Sequence, residues 1–326
     1  MNPFLPRRGL LGVLAAALAA AALPAIGADF PSKPIRLVVP FPPGGGTDVM
    51  GRLLAQQLAQ ELKATVIVEN LAGATGTLGS GRVARGDPDG YTLLLGISAT
   101  HAIAPALFKD LPYQPERDFV AIARIAHGGN LLVAHPSFPA NTVAELIAYA
   151  KRQSVPLAYG SWGNGSGGHL AAEAIRLYAN VPMTHVPYKG VAPMLQDLLG
   201  GQILVGMSDL ASTAPLIRSG KLKALAVTGP KRSAALPTVP TLVESGVPFD
   251  TESWYALFAP AKTPQPIVDQ LARAAAKVLQ NPEVAEKVVG LGMEPTPIAR
   301  DAFDRQWRAD IATWARVVQA SGAKAD

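Results

Sequence analysis

Short apolar runs alternate along this chain with stretches whose apolar residues recur at helical spacing. The apolar runs predict β-strands. They cover Ile35–Val39, Thr65–Glu69, Tyr91–Gly96, Leu131–His135, Leu157–Gly160, Met183–Pro187, Ile203–Met207 and Leu222–Val227. Helical periodicity separates many of them, for example in Val143–Arg152 and His169–Ala179. Strands that alternate with helices indicate parallel sheets that are covered on both faces.

The end of the chain has a different pattern. After Trp254–Ala259 the sequence is mainly helical, and its two apolar stripes predict core packing without a functional role. One stripe contains Ile267, Leu271, Ala274 and Val278, and the other contains Phe303, Trp307, Ile311, Trp314 and Val318.

The number of strands and the chain length favour two doubly wound α/β domains over one. Two crossovers between them are predicted, near Ala126–Gly129 and along the proline-rich stretch 229–248. One domain is therefore discontinuous. We predict a first lobe from residues 29–125 and 250–326, and a second lobe from residues 126–249.

The first 28 residues predict an export signal peptide. Arg7 and Arg8 precede an apolar run from Leu10 to Leu23, and small residues follow up to Ala28. We predict cleavage on either side of Ala28. The paired arginines resemble a twin-arginine signal, the Sec route stays open, and a retained membrane anchor is the alternative to cleavage.

Composition narrows the possible chemistry. The chain has no cysteine, which excludes disulfides, thiolate metal sites and cysteine nucleophiles. Removing Arg7 and Arg8 with the leader changes the balance from 29 basic and 24 acidic residues to 27 and 24. Without a Lys/Arg-rich run that carries aromatic residues, nucleic acid is not an expected partner.

A proline- and glycine-rich loop at residues 40–48 joins the first strand to a helix. Its three glycines can present bare backbone N–H groups to a ligand. With Thr47 or Asp48 as the helix N-cap, the loop would lie at the positive end of the helix and suit a small anion. The alternative is a turn that only reverses the chain, although the prolines stiffen it.

Two enzyme motifs occur in the sequence only in incomplete form. Gly163, Gly165 and Gly168 match a dinucleotide-binding pattern, but the required acidic residue at the end of the next strand is missing. Ser166 lacks the flanking glycine of a nucleophile elbow, because Asn164 stands there. The histidines show no metal-ligand spacing. We therefore expect no catalytic residues, no cofactor and no metal.

Several segments together resemble the Bug proteins, the extracytoplasmic solute receptors of tripartite tricarboxylate transporters. The matching segments are residues 31–36, 39–48, 68–70, 87–91, 185–190, 197–201, 220–228 and 257–260. The resemblance implies a type II periplasmic-binding-protein fold, in which two α/β lobes joined by two crossovers enclose a ligand cleft. It also implies a periplasmic protein, which we expect to be a monomer.

The resemblance implies that the glycine loop holds a ligand carboxylate through backbone N–H groups and bound water. The residues expected to bind the ligand in the first lobe are Phe41, Pro43, Gly44, Gly45, Gly46, Thr47, Asp48, Ser98, Thr100 and His101. Those expected in the second lobe are Ser161, Trp162, Asn164, Gly165, Ser166, Tyr188, Lys189, Ser208 and Asp209.

Some of these residues have a structural alternative. Asp48 and Asp209 suit helix caps, Lys189 suits a solvated surface position, and His101 suits a structural hydrogen bond. Trp162 stands where the family more often has a small residue, so its indole either stacks on an aromatic acid, narrows the pocket or packs on the lobe surface. Leu210 replaces a frequent asparagine and removes a polar contact.

The resemblance implies a receptor that captures a small organic carboxylate and delivers it to integral-membrane transporter subunits. A sensor that signals to a kinase and a periplasmic enzyme that acts on a carboxylate are the alternatives. The sequence leaves the identity of the ligand open.

Overall fold

A computed structural model describes residues 30–296 and 298–323. The predicted signal peptide lies outside the described residues. The strands are β1 (Ile35–Val39), β2 (Val66–Asn70), β3 (Thr92–Ile97), β4 (Phe119–Gly128), β5 (Asn130–Ala134), β6 (Leu157–Ser161), β7 (Met183–Pro187), β8 (Val205–Asp209), β9 (Lys223–Val227), β10 (Ser253–Pro260) and β11 (Glu294–Pro295).

The helices are α1 (Gly46–Leu62), α2 (Thr77–Ala84), α3 (Ala104–Leu107), α4 (Pro115–Asp118), α5 (Val143–Arg152), α6 (Gly167–Ala179), α7 (Val191–Leu199), α8 (Leu210–Arg218), α9 (Gln265–Gln280), α10 (Pro282–Gly290) and α11 (Arg300–Ser321). A 3₁₀ turn occupies Ala74–Gly76, and a π-helical turn occupies Ala99–Ile103. Within the described ranges, no helix combines the length and the apolar character that crossing a membrane requires.

Local sequence accounts for these elements. Strand β1 is a continuous apolar run because β2 and β3 flank it and helices cover it, so Ile35, Leu37 and Val39 are fully buried. Helix α5 begins at the N-cap Thr142, whose hydroxyl accepts a hydrogen bond from the Glu145 amide at 3.1 Å. The Glu145 carboxylate in turn accepts a hydrogen bond from the Asn141 amide. Caps of this kind fix where a helix starts.

Two sheets define two lobes, which confirms the predicted α/β class. The first sheet has the order β11-β4-β10-β3-β1-β2, and the part of the chain built on it is called lobe 1. The second sheet has the order β7-β6-β8-β5-β9, and its part is called lobe 2. The chain leaves the first sheet after Gly128 and returns to it at Ser253. The sequence-derived limit after residue 125 thus lies inside β4.

The sheets are mixed, which corrects the expectation of wholly parallel sheets. Strand β10 is antiparallel to β3 and β4, and β5 is antiparallel to β8 and β9. Both strands directly follow a crossover. The chain therefore enters the sheet from the other lobe, without first forming a helix that packs on that sheet. Such a strand runs opposite to those that βα units place in parallel.

The two crossovers lie side by side. The Asn130 amide donates a hydrogen bond to Thr228 Oγ1, and the Thr228 amide donates one to the Asn130 carbonyl, both at 2.8 Å. An added Cβ on Gly129 would overlap the Thr228 carbonyl, so only glycine allows this approach. The crossing point holds Asn130 at the base of the space between the lobes.

Helix α11 supports both lobes. Trp307 is fully buried and donates a hydrogen bond from Nε1 to the His101 carbonyl at 2.8 Å in lobe 1. Trp314 is also buried, and its ring lies 6.3 Å from that of Phe249 and against Gly167 at the start of α6. The apolar stripe predicted for this helix is therefore core packing.

Candidate functional site

A narrow cavity lies between the two lobes. The space in it for water-sized spheres is about 30 Å³, which is room for one or two water molecules. Lobe 1 contributes Phe41, Pro42, Gly45, Gly46, Thr47, Ile97, Ser253, Trp254 and Tyr255, and lobe 2 contributes Asn130, Trp162, Val191 and Asp209. The glycine loop and the carboxyl ends of strands from both sheets thus meet in one place, where open α/β sheets bind ligands.

Helix α1 begins at this cavity, earlier in the sequence than expected. Gly45 is its N-cap, with an extended backbone (φ −84°, ψ 167°) and no side-chain cap, so neither Thr47 nor Asp48 takes that role. The Asp48 and Val49 amides donate to the Gly45 carbonyl at 2.9 and 3.0 Å. Because glycine adds no side chain, the first amides of the helix stay accessible from the cavity.

Asp48 stabilises the glycine loop on the side that faces away from the cavity. One carboxylate oxygen accepts hydrogen bonds from the Gly44 amide and from Arg52 Nε, each at 3.0 Å, and the other accepts one from Asn70 Nδ2 at 2.9 Å. Burial alone would raise the pKa of Asp48, but these hydrogen bonds outweigh it and hold the pKa below its usual value. Asp48 is therefore a buried anion that fixes the loop shape.

The amides of the glycine loop divide into two groups. The Gly44 amide is used by Asp48, and the Gly46 amide donates to Asp209 Oδ2 at 3.2 Å. Within the described residues, the Gly45 and Thr47 amides donate no hydrogen bond. The positive end of α1 thus keeps two donors at the cavity, fewer than the sequence predicts.

Asp209 joins the two lobes. Its Oδ1 caps helix α8 by accepting hydrogen bonds from the Ser212 amide at 2.8 Å and the Ser212 hydroxyl at 2.9 Å, while Oδ2 reaches Gly46 in lobe 1. Burial raises the pKa of Asp209, although these three donors oppose the shift. Burial, with Asp209 nearby, also raises the pKa of Tyr255.

The loop between β6 and α6, called the second loop, contains the predicted residues Ser161 to Ser166 and mainly supports the cavity through buried hydrogen bonds. Ser161 is fully buried, and its hydroxyl lies 2.6 Å from His185 Nε2 and 3.2 Å from the Ser166 hydroxyl. Ser166 in turn caps helix α6 by accepting a hydrogen bond from the His169 amide. Burial, with His169 stacked against the ring, lowers the pKa of His185 to about 3. These groups hold the loop without lining the cavity.

The members of this loop from Trp162 to Gly165 meet the cavity or lobe 1 directly, since an added Cβ would overlap Thr75 at Gly163 and Leu107 at Gly165. The buried Trp162 indole lines the cavity. The Asn164 carbonyl accepts a hydrogen bond from Thr75 Oγ1 at 2.9 Å across the lobe interface. The Gly165 amide donates to His169 Nδ1 within its own lobe.

The structure does not bring the loop after β3 to the cavity. The π-helical turn directs His101 into the core of lobe 1, where its ring stacks on Phe258 with centroids 4.2 Å apart. Complete burial lowers the pKa of His101 to about 3. Thr100 is bonded to the Ile97 backbone and to His101, and Ser98 is buried.

Four further predicted residues lie apart from the cavity. Pro43 is not among its lining residues, although its neighbour Pro42 is. The Tyr188 hydroxyl donates to Asp197 at 2.8 Å, and Lys189 is exposed. Ser208 is buried and pairs with the Thr213 hydroxyl.

The sequence did not predict the residues that the crossovers bring in. Asn130 starts β5, directly after one crossover, and Ser253, Trp254 and Tyr255 start β10, directly after the other. Trp254 Nε1 donates to Asp310 on α11 at 3.0 Å, which fixes the indole beside the cavity. The sequence signal that could have identified these residues is a polar residue at the start of each strand that follows a crossover.

The fold and the site define a two-lobed solute-binding protein. Residues 50–323 match the model of the tripartite tricarboxylate transporter family receptor, and the chain belongs to this family. It is 38% identical to Protein BugT of Bordetella pertussis over 97% of this chain and 98% of that protein, which confirms the resemblance to the Bug proteins.

Solved structures give the same grouping. The chain is similar to the R. palustris protein Rpa4515 with adipate (36% identity, TM-score 0.88, 91% and 99% of the two chains). It is similar to the periplasmic binding protein BugD (35% identity, TM-score 0.86, 90% and 99%). It is also similar to MatC from Rhodopseudomonas palustris with bound malate (34% identity, TM-score 0.83, 89% and 100%).

Proposed function

We propose that this protein is a periplasmic receptor that captures a small organic carboxylate between its lobes and delivers it to the membrane subunits of a tripartite tricarboxylate-type transporter. The observation that carries the proposal is the start of helix α1 at the interlobe cavity, with the Gly45 and Thr47 amides available as donors. Two similar proteins hold adipate and malate in their structures, which supports a carboxylate as the ligand class.

Backbone donors are sufficient for this task. A carboxylate needs several N–H donors in the right directions, and the partial positive charge at a helix N-terminus adds electrostatic attraction. The lining residues include no Lys, Arg or His. Recognition of the negative charge in this cavity therefore rests on amide dipoles and on the exclusion of water.

Capture of the ligand depends on the distance between the lobes. The cavity has room for one or two water molecules, so a carboxylate enters when the lobes separate and is enclosed when they approach. A ligand that touches both lobes adds contacts only in the enclosed form and shifts the population toward it. The receptor then presents a ligand-dependent surface to its membrane partner and leaves the ligand chemically unchanged.

Calorimetry on the purified chain without its leader tests capture, with monocarboxylates, dicarboxylates, sugars and cationic peptides as ligands. We expect binding of one or more carboxylates, and binding of sugars or cationic peptides alone would contradict the proposal. Gly45→Leu should abolish binding, because an added Cβ already lies 3.8 Å from Val191 in lobe 2. Gly290→Leu is the matched control, since an added Cβ there meets no atom within 4 Å.

Delivery and the absence of turnover need separate measurements. The ligand-loaded chain should co-purify with transporter membrane subunits, and co-purification with a signalling kinase instead would favour a sensor. Mass spectrometry of the bound acid before and after incubation should show one unchanged compound. A changed mass would favour an enzyme.

A further inference from the structure

The two lobes do not offer equivalent anion sites at this cavity. Helix α1 opens onto it in lobe 1, and helix α6 is the corresponding helix of the second loop in lobe 2. Among the residues that the structure describes, the first turn of α1 lines the cavity and the first turn of α6 does not. The difference follows from what covers α6.

Trp162 covers the start of α6. An added Cβ on Gly168, the second residue of this helix, would overlap the Trp162 ring, with Cη2 at 2.8 Å. Gly167, the first residue, is covered by Asn130, Ser253 and the Trp314 ring. Trp162 and these three side chains thus separate the start of α6 from the cavity.

Apart from Ser253, the remaining lining is mainly apolar and aromatic. Lobe 1 presents Phe41, Ile97, Trp254 and Tyr255, and lobe 2 presents Trp162 and Val191. The acidic member is Asp209, which occupies the Gly46 amide. A second carboxylate in this cavity would meet no cationic side chain of the lining, so a doubly charged guest is disfavoured.

Asn130 provides one unused donor in lobe 2, where its Nδ2 lies beside Gly167 at the start of α6. Its side chain is 1% exposed, it lines the cavity, and its Nδ2 has no hydrogen-bond partner within the described residues. A buried amide without a partner is costly, so a guest that offers an acceptor there gains affinity. A neutral hydroxyl or carbonyl oxygen satisfies the carboxamide without adding a second charge.

From these observations we infer that the cavity takes an aromatic monocarboxylate, with its carboxylate at the start of α1 and a hydroxyl or carbonyl oxygen at Asn130. The inference rests on the proposed capture of a carboxylate and specifies the ligand class. A flat guest suits the narrow space, because it separates the lobes by little while stacking on indole and phenyl surfaces. Trp162 then selects for one charge, and Asn130 selects for the polar substituent.

The test compares benzoate, 3- and 4-hydroxybenzoate, terephthalate, adipate and malate by calorimetry on the chain without its leader. We expect a hydroxybenzoate to bind at least tenfold more tightly than benzoate, and each dicarboxylate to bind more weakly than either. Tighter binding of adipate, malate or terephthalate overturns the inference while the proposed receptor function stands. No binding of any carboxylate overturns both.

Two variants assign the selectivity to its residues. Asn130→Leu should remove the tenfold preference for the hydroxybenzoate over benzoate; a retained preference overturns the role of Asn130. Trp162→Ala, which uncovers Gly168 in the first turn of α6, should weaken benzoate at least tenfold and strengthen terephthalate. Trp162→Leu keeps the space filled and should weaken the aromatic ligands more than adipate and malate, so an equal fall for aromatic and aliphatic ligands overturns the role of Trp162.

Discussion

The carboxylate of Asp209 in lobe 2 accepts a hydrogen bond from the backbone amide of Gly46 in lobe 1, at 3.2 Å. The bond places a negatively charged group of the protein at the helix terminus where the proposed ligand carboxylate binds. Asp209 therefore holds the lobes together and competes for the same donors.

Asp209→Asn should loosen the contact between the lobes while the α8 cap remains. Asparagine is as good an N-cap as aspartate, so its Oδ1 can still accept from Ser212. Its amide nitrogen cannot accept from Gly46, and the loss of a charge-assisted hydrogen bond corresponds to about 1.5–3 kcal/mol. We expect a larger radius of gyration by small-angle X-ray scattering in the absence of ligand.

The matched comparison is Thr75→Ala, which removes a second side-chain hydrogen bond between the lobes, from Thr75 to the Asn164 carbonyl. A neutral bond of this kind contributes about 0.5–1.5 kcal/mol, so its effect should be smaller. If neither variant changes the radius of gyration, these bonds do not control the distance between the lobes.

Gly46→Ala should block the approach of the lobes. An added Cβ at this position would overlap the Asp209 carboxylate, and overpacking of this kind costs about 1–3 kcal/mol. We expect carboxylate affinity to fall about tenfold or more, with no loss of α1, since alanine is a better helix former than glycine.

Gly45→Ala is the control for this variant. Its added Cβ would meet atoms of lobe 2 at 3.8 Å or more, which is ordinary van der Waals contact. Calorimetry on both variants separates a specific clash from a general effect of removing glycine. Equal losses of affinity would refute the proposed role of the Gly46–Asp209 contact.

Much of the fold could be predicted from apolar runs. The elements that were not predicted have causes in their own local sequence. The bounds of β1 and β7 match the prediction because both strands are short apolar runs between turn-forming residues. Strand β4 was not predicted. It contains the charged Arg124, which is buried near Asp310, Glu252 and Glu294, and it ends in a His-Gly sequence that is typical of a turn.

Only the part of the site that is formed by one continuous segment could be predicted from the sequence. The glycine loop was found because strand, turn and helix follow each other in sequence. Asn130 and Tyr255 are 125 positions apart, and only the adjacent crossovers place both at the cavity. His101 was expected at the cavity because it follows β3, but one π-helical turn rotates it toward Phe258.

Carboxylate affinity should rise as the pH falls toward the raised pKa of Asp209. Burial favours the protonated, neutral form of this side chain, and a ligand carboxylate at the adjacent amides favours it further by charge repulsion. Binding therefore takes up a proton, which calorimetry in buffers of different ionisation enthalpy can measure. We expect the proton uptake to disappear in Asp209→Asn, and its persistence there would assign the proton to another group.

The stability of the protein should fall with pH below about 6.5, in part because of His101. The pKa of this buried side chain is about 3 in the folded protein, against 6.5 for an ordinary histidine, so the unfolded chain binds a proton that the folded chain does not. Stability is then lost as the pH falls from 6.5 toward 3, by at most about 1.4 kcal/mol per pH unit for one group. In His101→Leu this contribution disappears, although loss of the bond to Thr100 lowers stability at pH 8. Urea unfolding at pH 8, 6, 5 and 4 should give a shallower pH dependence for the variant than for the wild type, whereas parallel curves would show that His101 is protonated in the folded state.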